Sequence, residues 1–79
     1  MEEKIKNIMS SVFEIKASKI DETTSPDTAE KWDSLNHMIL VVALEEEFNV
    51  EFTGEEIVEM ISYPLIKIVI KEKMENQRI

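Results

Sequence analysis

Apolar residues recur at Ile5, Ile8, Met9, Val12 and Phe13, the i, i+3, i+4, i+7, i+8 spacing of one helical stripe. This pattern predicts a first helix over about residues 2–16, with the stripe in the core. The period is lost from Ala17 to Trp32, where Asp21, Thr23, Thr24, Ser25, Pro26, Asp27 and Thr28 supply the residues of turns and caps. A connection of this length is uncommon in a small helical domain and is often functional. Ile20 and Trp32 are the residues expected to pin it to the core. The longest apolar segment follows, and a second helix is predicted from Ser34 to Phe48. Plotted at 100° per residue, Leu40, Val41, Leu44 and Phe48 form one stripe, while Leu35, Met38, Ile39 and Val42 form another roughly opposite. A helix in a small bundle buries one face, so the second stripe either meets the long loop or faces a partner.

Asn49 is a candidate helix stop. Thr53 can cap a brief third helix whose first turn holds Glu55 and Glu56, and Thr53 with Glu56 has the spacing of a capping box. Ile57, Val58 and Met60 are expected to face the core. Ser62-Tyr63-Pro64 reads as a helix start, with Pro64 in the first turn where its missing N–H is harmless. Leu65, Ile66, Ile68, Val69 and Ile70 drive that last helix to about Glu75, and the tail from Asn76 to Ile79 is expected to fray. No repeat, boundary or low-complexity segment interrupts the chain. The expectation is one all-α domain over residues 1–79, with four helices, a long loop between the first two and a short third.

Composition narrows the picture. With 79 residues the chain is close to the size at which a single core just suffices, and with no cysteine it has neither disulfide nor thiolate metal site. A hydrophobic content of 43% argues against disorder despite the high charge. No run of about 18 apolar residues is present to span a membrane, and no signal-type apolar block follows Met1-Glu2-Glu3-Lys4, so a cytoplasmic monomer is expected. The net charge of −8 argues against nucleic-acid binding, which needs clustered Lys and Arg, and points to basic protein partners. Glu45, Glu46 and Glu47 close the second helix where the macrodipole disfavours negative charge, a placement that costs stability and so invites a functional reason.

The inventory of reactive groups is short. Asp21, Thr23 and Ser25 alternate as in a calcium loop, but Pro26 stands at its glycine position and Trp32 at its bidentate glutamate. No HExxH and no histidine cluster exists, so no dedicated metal site is expected. Ser34 and His37, three apart on one helix, are the only candidate nucleophile and base. They lack an orienting acid and a glycine-rich elbow, so hydrolysis is rejected and His37 is expected to be an exposed surface residue. Ser34 is suited to a different task. It follows Asp33 at a helix N-terminus, where free N–H groups and the dipole favour a phosphate. Taken alone, the same residues also describe an ordinary N-cap and first turn.

Asp33-Ser34-Leu35 together with Ala-Leu-Glu-Glu-Glu-Phe at positions 43–48 resembles the bacterial acyl carrier proteins, and the match in helix order and length covers nearly the whole chain. The resemblance implies a four-helix bundle of the acyl-carrier type that is not an enzyme. Ser34 would receive 4'-phosphopantetheine from coenzyme A through a separate phosphopantetheinyl transferase using magnesium. The thiol of that arm would carry acyl groups as thioesters, and the acyl chain could shelter between the helices. Asp33 matches the family's aspartate that helps position metal and substrate during loading, and Leu35 its adjacent partner contact. The second helix would be the recognition helix for acyl-loading and acyl-processing enzymes with basic docking surfaces. Leu35, Met38, Ile39, Val42, Glu45, Glu46, Glu55 and Glu56 are the docking residues this implies.

The departures are informative. Asn36 and Ile39 stand where the carriers of fatty-acid synthesis usually have acids, and Glu30-Lys31-Trp32 replaces their Leu-Gly-Ala. Trp32 either fills space against the loop or shapes the entrance for the arm. These differences point to a specialised stand-alone carrier in a lipid or secondary pathway. A stand-alone aminoacyl or peptidyl carrier is the nearest alternative, although such carriers usually have Gly-Gly before the serine and are less acidic. An unmodified acidic docking module is the alternative of another class.

Overall fold

One apolar stripe from each long helix becomes a wall of a shared core. The computed structural model describes residues 1–76, and its elements are α1 (Glu2–Phe13), α2 (Ser34–Phe48), α3 (Gly54–Glu59) and α4 (Tyr63–Asn76), with a single 3₁₀ turn at Ala17–Lys19. Among the described residues there is no strand, so the fold is all-helical. The fraying expected of the tail falls, past Asn76, outside the described residues.

Ile5, Met9 and Phe13 from α1 meet Leu40, Val41 and Leu44 from α2 and Ile66, Val69 and Ile70 from α4. Met60 and Phe52 close the core from the α3 side, while Ile8, Val12, Phe48 and Ile57 pack against its edge. Among the described residues no buried side-chain polar atom lacks a hydrogen-bond partner, so the core carries no desolvation penalty from an orphaned group.

Two helix ends show how local chemistry sets the boundaries. Asn49 adopts the left-handed conformation (φ 53°) expected of a helix stop, and the Val50 N–H returns to the Glu45 carbonyl. The first helix also ends in a left-handed residue, but three positions earlier than expected. Glu14 (φ 56°) stops α1 after Phe13, and the Ile15 N–H bonds the Ser10 carbonyl. Nothing but glycine takes that conformation freely. The reversal instead turns Ile15 onto the edge of the core and puts the Glu14 carboxylate 3.1 Å from Lys31.

One further expectation is corrected. Val58 is 72% exposed and does not face the core, because α3 is only six residues long and reaches inward through Ile57 and Met60 alone. The last helix forms as expected, with Ile66, Val69 and Ile70 inward and Leu65 and Ile68 on its outer face. The capping box of α3 is present: the Thr53 hydroxyl accepts from the Glu56 N–H and the Glu56 carboxylate accepts from the Thr53 N–H.

The long loop is held along its length. Ile20, Thr24, Ala29 and Trp32 are buried, the Asp21 carboxylate accepts from both the N–H and the hydroxyl of Thr23, and the Tyr63 N–H donates to the Thr24 carbonyl. Tyr63 thereby joins loop to α4, and its hydroxyl donates to Glu2 at the start of α1. Lys67 lies 4.6 Å over the ring and bridges Glu2 and Glu22. Burial first, then the Glu2 hydrogen bond and the charges of Glu2 and Glu22, push the Tyr63 phenol up to about 12. The folded state thus holds this proton more tightly than the unfolded chain, whose phenol has the ordinary value of 10.0. The stabilisation is complete below pH 10 and should be lost as the pH rises toward 12. Melting temperature against alkaline pH checks this, and Tyr63→Phe should flatten that part of the curve.

Candidate functional site

The start of α2 is built by the residues around Ser34. The Asp33 side chain accepts from the Asn36 N–H at 2.8 Å and its carbonyl accepts from the His37 N–H at 2.8 Å, which makes Asp33 a working N-cap. The Asn36 amide reaches back to the Lys31 carbonyl at 2.7 Å, and the Asp33 N–H bonds the same carbonyl. The turn entering the helix is therefore fixed on both sides. Ser34 is the first helical residue, is exposed, and its hydroxyl makes no intramolecular hydrogen bond. Beside it lies an open depression of about 340 Å³ lined by Pro26, Trp32, Asp33, Ser34 and His37.

His37 is not the exposed surface residue expected. It is half-buried, its ring 6.1 Å from that of Trp32 and nearly parallel to it. Trp32 Nε1 can only donate, and it does so to His37 Nδ1 at 2.9 Å. The proton of the neutral ring therefore sits on Nε2, which donates to the Ile57 carbonyl at 2.8 Å. Trp32 in turn stacks on Phe13, centroids 4.6 Å apart. Both nitrogens of the chain's single histidine are thus engaged, and neither is free to take a proton from Ser34.

The outer face of α2 carries Leu35, 71% exposed, with Met38, Ile39 and Val42 each about half exposed. With Ala43 and Glu46 they line a shallow groove of about 410 Å³. The acids expected beside this face divide into two groups. Glu46 and Glu55 are exposed. Glu45 points inward, its carboxylate accepting from the Phe52 N–H at 2.9 Å, which gives a structural reason for one of the acids at the end of α2. Glu56 is engaged in the capping box and lies 2.9 Å from Lys73. Desolvation raises its carboxyl, but the bonds to Lys73 and to Thr53 outweigh that and hold it below the usual carboxylate value. Among the described residues no three His, Asp or Glu side chains are placed to hold a metal ion, and no helix is long and apolar enough to cross a membrane.

The start of α2 is thus a capped helix N-terminus that presents the Ser34 hydroxyl to solvent. A family model described as phosphopantetheine attachment site matches residues 3–62, and the chain belongs to this family. No curated protein matches the chain. Carriers of this family are non-catalytic: they hold 4'-phosphopantetheine covalently, receive it from phosphopantetheinyl transferases and interact with partner enzymes.

Proposed function

We propose that Ser34 is the attachment residue and that residues 1–79 act as one carrier domain for acyl groups in a specialised lipid or secondary pathway. The observation that supports it best is the exposed, unbonded Ser34 hydroxyl on the first residue of α2, inside the matched span and directly after a fixed Asp33. The residues suit the group. The N–H groups of Ser34 and Leu35 precede the first intrahelical bond, so they and the helix dipole are free to meet a phosphodiester, and the adjoining depression has room for the start of the arm. When bound, the group supplies a terminal thiol that holds cargo as a thioester. Because both ring nitrogens of His37 are engaged, His37 is not placed to take the Ser34 proton during loading.

In this reading Leu35, Met38, Ile39 and Val42 form the centre of the docking face, with Glu46 and Glu55 as its outward charges. Glu45 and Glu56 contribute at its margin while they hold the fold. Asn36 and Ile39, where acids are usual in fatty-acid synthesis, make the face more apolar and set its choice of partners.

The test is intact mass after incubation with coenzyme A, magnesium and a broad-specificity transferase, followed by challenge of the loaded protein with acyl-activating and aminoacyl-activating enzymes. Gain of one phosphopantetheine and then of an acyl group is expected. Charging by aminoacyl-activating enzymes alone would move the protein to the aminoacyl carriers. Failure to gain the arm, with the transferase active on another carrier, would leave the acidic docking module as the better account.

A further inference from the structure

Trp32, His37 and the Ile57 carbonyl form a bridge from the end of the long loop, across the first turn of α2, to α3. It lies one helical turn from Ser34, and two of its members line the depression beside that serine. Behind it, Ile57 packs on the core and Met60 is fully buried. Trp32 is itself backed by Phe13, so the bridge cannot yield inward without disturbing the stack.

We infer that His37 is a specificity-determining bolt that closes the seam between α2 and α3, so that cargo attached at Ser34 is presented on the surface and is short or polar. This rests on Ser34 being the attachment residue. To enter between α2 and α3, an apolar chain would have to break two hydrogen bonds and leave the Trp32 N–H and the Ile57 carbonyl without partners in a half-buried place. Burial of a short chain does not repay that. A longer chain would need volume that Met60, Leu40 and Leu44, all fully buried, already occupy. A cargo that stays outside must tolerate water, and a large apolar one does not.

The experiment loads wild type, His37→Ala and His37→Gln with an octanoyl group through a stable amide in place of the thioester, after mass spectrometry has confirmed the arm. A chain that fails to load at Ser34 defeats the attachment reading. The bolt is judged only on loaded protein, by methyl NMR and by melting temperature. In the wild type, the Met60 and Leu40 methyl signals should stay in place and the melting temperature should not rise. Full burial of eight carbons would instead raise it by roughly 25 °C or more. His37→Ala should open the seam, shifting those methyl signals and gaining stability on loading. His37→Gln, whose amide can accept from Trp32 and donate to Ile57, should restore the wild-type pattern. Core shifts in loaded wild type, or none in loaded and folded His37→Ala, would overturn the proposal.

Discussion

Ser34→Ala should fold and melt as the wild type does, yet gain no phosphopantetheine when the wild type is fully modified. The separation follows from the position. Ser34 is exposed, its hydroxyl bonds nothing within the chain, and the cap of α2 belongs to Asp33. Alanine is a good helix former at that place, so the change in stability should lie within about 0.5 kcal/mol. The chemical loss is total, because no other hydroxyl stands at the start of α2. Intact mass and a melting curve on the same two samples check both halves. Full modification of Ser34→Ala would place the arm elsewhere, and a large drop in melting temperature would mean that the hydroxyl has a structural task.

Trp32→Ala should destabilise the domain by about 3–5 kcal/mol, the usual cost of truncating a large buried aromatic. Trp32 is only 5% exposed, stacks on Phe13 and donates to His37. Its removal leaves a cavity and leaves His37 Nδ1 without its donor. A chain of this size commands roughly 4–12 kcal/mol in all, so the variant should be partly or wholly unfolded at 37 °C. Trp32→Phe keeps most of the filling and loses the hydrogen bond, and should cost about 1–3 kcal/mol. Urea titration of the three proteins gives both differences. A loss below about 1 kcal/mol for Trp32→Ala would show that the loop is held mainly by Ile20, Thr24 and Ala29.

Much of this was legible in the chain. The limits of α2, its two apolar stripes, the Asn49 stop and the Thr53–Glu56 capping box all come from short-range patterns with a physical cause, and the structure has each of them. The errors fall where a residue acts against its type or reaches beyond its own element. Glu14 ends α1 in a conformation that glycine or asparagine normally signals. His37 looked like a surface residue because its two partners lie 5 and 20 positions away. The inward turn of Glu45 depends on the Phe52 N–H, seven residues on, and the Glu56–Lys73 pair on the approach of α4 to α3. One signal was available for His37: a lone histidine one turn after a serine and five residues after a tryptophan invites the question of what both ring nitrogens touch. Ser34 itself needed no fold to be noticed, only its setting.

The two-sided apolar character of α2 has a consequence for colloidal behaviour. A helix with Leu40, Val41 and Leu44 inward and Leu35, Met38, Ile39 and Val42 outward makes the folded protein adhesive along one edge. Two copies meeting through that edge about a two-fold axis would bring each groove, with its Glu46, against its own duplicate. With a net charge of −8 the approach is repelled before the apolar surfaces touch, whereas a basic protein feels the opposite force. Charge here acts as a filter on encounter: in the proposed reading it disfavours the meeting of two copies at this edge and favours a basic stranger.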